Sequence, residues 1–277
     1  MITIVEIFRW CKISYLSLGG LMLLFSFILF FSDKPWLRRA IRVLGILVSI
    51  TFLFQMIGMG MRWKIGGFAP LSNMYETMIF LAWASVFAGL LFARRSSITF
   101  SLAALFAGIV LFVAGLSWID PQINPLAPVL KSPWLVFHVA ILMTAYGLFG
   151  ISFLIGLVNL FMIPLRGGEK VSTYSTSVRK LSIINEIILI VGLMLMTIGT
   201  FMGAVWANES WGRYWGWDPK ETWALITIIV YAMVTHLHLH KKWYSLWLFN
   251  LCSVLAFISV LMTYFGVNFF LSGMHSY

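Results

Sequence analysis

The segment Trp206–Trp223 holds five tryptophans in eighteen residues: Trp206, Trp211, Trp215, Trp217 and Trp223. It lies between two long apolar runs. Indole is flat, large and apolar, with a single N–H donor, so several together can form a shelf for a flat aromatic ligand. Gly212 and Gly216 let the backbone approach such a ligand closely. Arg213 and Lys220 suit carboxylates carried by it. Asp218-Pro219 predicts a helix start, with Asp218 as N-cap and Pro219 at the first helical position. The competing reading is an aromatic belt at headgroup level. Trp36, Trp63 and Trp243 fit that reading, and the Trp206–Trp223 cluster fits it poorly.

Histidines supply the second half of a possible site. Imidazole is a common axial ligand of haem iron. His138 lies a few residues into an apolar run, and His275 lies just beyond the last one. Alone, either is more often an interfacial side chain than a ligand. Together they could place two neutral imidazoles on opposite faces of a porphyrin and give six-coordinate iron. His236, His238 and His240 form an H-x-H-x-H run beside Lys241 and Lys242. In a continuous helix 236 and 240 share a face. His238 and His240 read as a polar helix end among anionic headgroups. His236 reads as one turn deeper, and ionisable groups inside a bilayer are costly and usually functional. A zinc site from 236 and 240 is a rival, without the glutamate of an HExxH arrangement.

The elements that must position these groups are transmembrane helices. Of the 277 residues, 61% are hydrophobic and 10% charged, against about a quarter charged in a soluble domain. Runs of about 20 apolar residues span a bilayer core as helices. The expected class is therefore all-α: a polytopic membrane protein of about eight transmembrane helices, forming one integral membrane domain over residues 1–277. The candidate spans are 13–32, 41–61, 75–93, 98–118, 134–163, 183–206, 221–240 and 245–265. Only Arg94–Ser97 separates the third from the fourth, a tight helical hairpin. The fifth exceeds a perpendicular span and predicts tilt or extension beyond the bilayer. Near the third, Ser72 or Asn73 with Glu76 resembles a capping arrangement, and Glu76 is a further candidate to accept a hydrogen bond from a site histidine.

The formal charge is +10. The basic residues sit in loops beside apolar spans and form no long stripe, which argues against a nucleic-acid partner. With the N-terminus outside, twelve Lys and Arg fall in inner loops and seven in outer segments, as the positive-inside rule favours. That arrangement places the tryptophan segment, His138 and His275 on the outer side, and His236, His238 and His240 toward the inner side. Cys11 and Cys252 form no CxxC, so thiol–disulfide chemistry by this chain alone is not expected. The first apolar run has no small-residue cleavage site and reads as a retained anchor.

The sequence Trp211-Gly-Arg-Tyr-Trp-Gly-Trp-Asp-Pro-Lys-Glu-Thr-Trp-Ala224 resembles the signature (the WWD-type domain) of the haem-handling superfamily of cytochrome c assembly proteins. Its Asp-Pro-Lys-Glu-Thr-Trp continuation is similar to the CcsA (ResC) branch of System II cytochrome c biogenesis. Pro70-Leu-Ser-Asn-Met-Tyr-Glu76, Lys131-Ser-Pro-Trp-Leu-Val-Phe-His-Val139 and the ending Gly-Met-His-Ser-Tyr277 resemble further segments of that branch, in the expected order.

The resemblance implies that the external segment 206–223, between spans six and seven, holds haem b. Trp206, Trp211, Trp215, Trp217 and Trp223 would serve with Arg213, Tyr214, Asp218 and Lys220. It implies that His138 and His275 ligate the external haem iron and that His236 belongs to an internal haem site. A partner histidine for that site usually comes from a CcsB/ResB-type membrane protein. The implied reaction is a holocytochrome c synthetase (haem lyase) step, preceded by haem export: two cysteine thiols of an apocytochrome c CxxCH add across the haem vinyl groups. Thiol-reducing pathway proteins and membrane lipid are the other implied partners. A bacterial inner membrane, with both termini outside, is expected in preference to a thylakoid. The alternatives are a haem chaperone or exporter without synthetase activity of its own, as in System I, and a transporter of another amphiphile.

Overall fold

The structure is a computed structural model that describes residues 2–32, 34–163, 171–240 and 244–271. Helices account for most of them, and no strand occurs among the described residues. Among the described residues, eight helices are long and apolar enough to cross a membrane. On the second, Ile46, Ile50, Leu53 and Ile57 are all more than half exposed. Their spacing of four, three and four residues makes one continuous apolar stripe. Water would not tolerate such a stripe and lipid does, so the chain is a multi-pass membrane protein. The sequence reads as one membrane domain; the helices pack as two compact units, Met1–Ala127 and Pro128–Tyr277.

The first unit holds α1 (Ile2–Phe31), α2 (Pro35–Gly66), α3 (Met74–Phe92) and α4 (Ser97–Ala114). Small residues bring its helices close, as lipid-embedded bundles require. A Cβ at Gly108 of α4 would lie 2.7 Å from Leu16 Cγ of α1, and one at Gly19 of α1 would lie 3.1 Å from the Leu105 backbone of α4. Gln55, fully buried on α2, accepts from Tyr15 Oη of α1 at 2.8 Å and donates to the Ile79 carbonyl of α3 at 3.0 Å. The tight hairpin expected at Arg94–Ser97 is present, with Ser96 capping α4 through the Thr99 amide.

One end of this unit is closed by a buried ion pair. Arg62 and Glu76 are 2% and 1% exposed, with Nε 2.8 Å from Oε1. The remaining guanidinium nitrogens donate to the carbonyls of Pro121 at 2.8 Å and Gln122 at 3.1 Å. The other Glu76 oxygen accepts from the Ser72 amide and hydroxyl at 2.9 and 2.7 Å. Asn73 is the N-cap, accepting from the Glu76 amide. Both carboxylate oxygens are thus engaged within the unit by Arg62 and Ser72. Arg62, placed by charge counting in an outer loop segment, is instead the centre of this knot.

The second unit holds α5 (Pro133–Met162), α6 (Val171–Trp211), α7 (Pro219–Thr235), α8 (Leu246–Leu261) and a short α9 (Val267–Phe270), the last two joined by a π turn over Met262–Gly266. Gly192, Gly199 and Gly203 fall on one face of α6, spaced seven and four apart. Each receives an α5 side chain with the mirrored spacing: Phe149, Leu142 and His138. Where glycine removes the Cβ, a ring or isobutyl group fits against bare backbone. Phe149 is also stacked on Tyr231 of α7, with centroids 3.6 Å apart.

The helix limits depart from the apolar runs at several ends: α1 starts at Ile2 and not near Ile13, and α2 covers Pro35–Gly66 and not only 41–61. Helix α6 starts at Val171, about a dozen residues before the apolar run at Ile183. Helix α7 stops at Thr235, and a 3-10 turn covers Leu237–Leu239. His236 and His240 therefore do not share a helical face.

Candidate functional site

His138 sits in the second turn of α5, after a start set by Ser132 and Pro133. Its Nδ1 lies 2.6 Å from the Gly199 carbonyl oxygen. A carbonyl only accepts, so Nδ1 carries the proton and donates; in the neutral imidazole the lone pair is then on Nε2. Behind the ring is Gly203, where a Cβ would lie 2.6 Å from Nδ1. Metal-ligating histidines are commonly oriented in this way, with the second ring nitrogen donating to a backbone carbonyl. Beside it, Ser132 Oγ donates to Glu209 Oε2 at 3.1 Å and joins the start of α5 to the last turns of α6.

From there α6 runs directly into the tryptophan segment. Trp206 is 1% exposed, and its ring meets Trp211 edge-on, with centroids 4.8 Å apart and planes at 68°. Trp206 therefore supports Trp211 from beneath. Helix α6 ends where Gly212 turns left-handed at φ 72°, its amide donating to the Asn208 carbonyl at 2.9 Å. The loop up to Asp218 is tied down from α7: Glu221 Oε2 accepts from the amides of Gly216 at 2.8 Å and Asp218 at 3.1 Å. Asp218 is the N-cap and Pro219 follows at the first helical position, as expected from their types. Asp218 and Glu221 form a reciprocal capping box, which fixes the loop and the helix start together.

The anchored loop presents its rings outward. Tyr214 is 62% and Trp217 69% exposed. Trp217 adopts φ 56°, a left-handed conformation uncommon for a bulky residue and sustained only where surrounding bonds hold it. Trp215 is half-buried and meets Trp217 edge-on at 87°. The indoles form facets at steep angles instead of one continuous plane. Arg213 is exposed, and its guanidinium packs over Gly216, where a Cβ would lie 3.0 Å from Nε. Lys220 follows the N-cap, its amide donating to Asp218 Oδ1 at 2.9 Å. Trp223 lies one turn into α7 and offers its carbonyl to Thr263 Oγ1 of the π turn at 3.2 Å. The C-terminal part of the described chain, up to Leu271, thereby runs past Trp223 at the loop end of the unit. His275 lies outside the described residues.

The structure thus gathers His138, Trp206, Trp211, Arg213, Tyr214, Trp215, Trp217, Asp218, Lys220 and Trp223 at one end of the second unit. His236 is at the other end. It is the exposed C-cap of α7, with Nδ1 2.8 Å from the Ala232 carbonyl. His238 Nδ1 is 3.6 Å from Glu186 Oε1 of α6 and 3.0 Å from the Thr235 carbonyl. Sequence reasoning overlooked Glu221, Gly199 and Gly203. The glutamate was detectable as the third residue after an N-cap, and the glycines by their mirrored spacing against α5.

A family model described as "Cytochrome C assembly protein" matches residues 71–275. The chain is 46% identical over 274 residues to Protein NrfI of Wolinella succinogenes, which covers 98% of this chain and 30% of that protein. It is 36% identical over 242 residues to the cytochrome c biogenesis protein CcsA of Guillardia theta, covering 79% of this chain and 80% of the relative. Among solved structures, the cytochrome c heme lyase CcmF shares the fold, with a TM-score of 0.67 at 16% identity over 95% of this chain and 46% of CcmF. The chain therefore spans less than half the length of NrfI or CcmF and most of the length of CcsA. With the family model covering about three quarters of its residues, and with CcsA proteins alike along most of its length, the chain belongs to the cytochrome c assembly protein family.

Proposed function

We propose that this chain binds haem at the loop end of its second unit and takes part in delivering it to apocytochrome c. The observation that carries the proposal is the posture of His138: Nδ1 committed to Gly199 at 2.6 Å, the ring backed by Gly203, and Nε2 left as the nitrogen with a lone pair. Such an imidazole is oriented in advance for iron. The outward Trp217 and Tyr214 suit the porphyrin faces, and Arg213 and Lys220 suit its propionates. His275 is the second axial ligand in this reading, and haem b is the substrate.

In the reaction, each cysteine thiol of CxxCH adds across one vinyl C=C. A C–S bond forms, the thiol hydrogen ends on the neighbouring vinyl carbon, and no net oxidation occurs. The protein's share is orientation: a loop fixed by Glu221 and an imidazole fixed by α6 hold the vinyl edge in one place for the peptide. The partners in this reading are a CcsB/ResB-type membrane protein, which supplies the other ligand for an internal haem at His236, together with apocytochrome c and thiol-reducing proteins. The membrane is a bacterial inner membrane, with both termini on the outer side. A second reading is a haem chaperone or exporter that hands haem on without synthetase activity of its own.

Detergent-purified protein from haem-replete cells should show a Soret band. His138→Ala should lose or shift it, and added imidazole should restore it. An unshifted band of full intensity in that variant would remove His138 from the iron. Reporter fusions after Lys180 and at the C-terminus test the orientation; a cytoplasmic C-terminus refutes it.

A further inference from the structure

A seam of polar side chains runs through the apolar interior of the second unit. Asn159 and Ser152 stand on α5, Ser182 and Asn185 on α6, and Asn250 and Ser253 on α8. Ser182 is 3% exposed and the other five are fully buried. The helices meet closely here: a Cβ at Gly156 of α5 would lie 3.0 Å from the Asn250 carbonyl oxygen. At the first level, Asn159 Nδ2 donates to Ser182 Oγ at 3.1 Å and to Asn250 Oδ1 at 2.9 Å, and Asn250 Nδ2 donates to Ser182 Oγ at 3.1 Å. At the next level, Asn185 Nδ2 reaches Ser253 Oγ at 3.4 Å, and Ser253 Oγ donates to the Phe249 carbonyl.

The three amide NH2 groups donate, and several oxygens have no bond. Among the described residues, Asn159 Oδ1, Asn185 Oδ1, Ser152 Oγ and the Tyr231 hydroxyl have no hydrogen-bond partner in the protein. An orphaned polar atom is costly anywhere in an interior and more so in a membrane, where lipid offers it no donor. Residues three apart on a helix rise about 4.5 Å, and Ser152 and Asn159 are about 10.5 Å apart along α5. One water, making two hydrogen bonds, bridges groups about 5 Å apart. The levels of the seam match that interval.

We propose that this seam is a binding site for a short file of ordered water, held by Asn159, Asn185 and Ser152 and reaching toward Tyr231. Charge selects water over a cation. The seam contains no carboxylate, and an uncompensated cation inside a bilayer is strongly disfavoured. Neutral water donates to the amide oxygens, accepts from or donates to the hydroxyls, and satisfies all of them at once. The file joins α5, α6 and α8 across the seam.

X-ray hydroxyl-radical labelling of the full chain in nanodiscs, read by mass spectrometry, tests this, because radicals formed from bound water mark the side chains beside it. Tyr231 and Tyr15 are both fully buried, and Phe249 and Phe100 are both 4% exposed, so each pair is matched in residue type and burial. Tyr231 and Phe249 should label several-fold faster than Tyr15 and Phe100. Equal rates within both pairs overturn the proposal. Asn185→Leu sacrifices only one long hydrogen bond and should bring Phe249 down to the Phe100 rate; undiminished labelling in that variant overturns the role of Asn185. The comparison within the unaltered protein stands even if the variant does not fold.

Discussion

Substituting Gly203 by alanine separates the packing of α5 against α6 from ligation by His138. The added methyl would lie 2.6 Å from Nδ1 and 3.1 Å from Nε2 of the ring. The ring's Cε1 is closer still, and ordinary contact begins near 3.4 Å, so the ring must retreat by about 1 Å from α6. Gly199 lies one turn away on the same helix face, so the retreat also draws Nδ1 off its carbonyl. A bond of 2.6 Å lengthens to about 3.6 Å, outside hydrogen-bond range. Overpacking costs about 1–3 kcal/mol, and alanine returns about 1 kcal/mol of helix propensity. Global stability should therefore fall by about 1 kcal/mol, while the imidazole loses both its position and its tautomer. The expected result is a large loss of Soret absorbance in the purified variant, with recovery on adding imidazole. Gly192→Ala is the matched control. It presses on Phe149, where a Cβ would lie 2.7 Å from Cε1, with a similar packing cost and no ligand in the way. If Gly203→Ala keeps its haem and spectrum, or if Gly192→Ala loses haem equally, the reasoning about His138 is refuted.

Three other outcomes follow from the geometry. Glu221→Ala removes a carboxylate that caps α7 and holds two loop amides; it should cost about 1–2 kcal/mol, speed proteolysis between Gly212 and Trp217, and lower haem retention. Arg62→Ala leaves Glu76 buried without its counter-charge and should cost about 3–5 kcal/mol, seen as a sharp fall in thermal stability, with Arg62→Ala/Glu76→Gln recovering part of it. His236→Ala should leave the spectrum of the chain purified alone unchanged and reduce haem content only when a CcsB-type partner is co-expressed; normal holocytochrome assembly with that partner would remove His236 from any haem site.

The eight spans were legible because a membrane demands long apolar runs, whatever the details of packing. The helix ends were less so, since hydropathy marks the edge of lipid and not the edge of a helix. Helix α6 carries on through Ser175–Lys180, a mostly polar stretch that hydropathy leaves out of a span although the backbone stays helical. At His236 the error ran the other way: Thr235 Oγ1 and His236 Nδ1 bond back to carbonyls of the last turn, and the chain tightens into a 3-10 turn. The start of α7 was readable from Asp218-Pro219 because capping is local chemistry. Arg62 and Glu76 were not readable as a pair, because fourteen residues and a turn separate them and no period connects them. For His138, residue type and neighbours suggested a ligand, but its orientation depended on glycines some sixty residues away.

The comb of three side chains from α5 in three notches of α6 has a mechanical corollary. Held by Gly199 on one edge and walled by Gly203 behind, the imidazole at 138 has little freedom to swing by itself. It is carried by the helix pair, like a tooth on a rack. Whatever slides or twists α5 along α6, a change in bilayer thickness included, would be transmitted to Nε2 as a displacement of the whole ring.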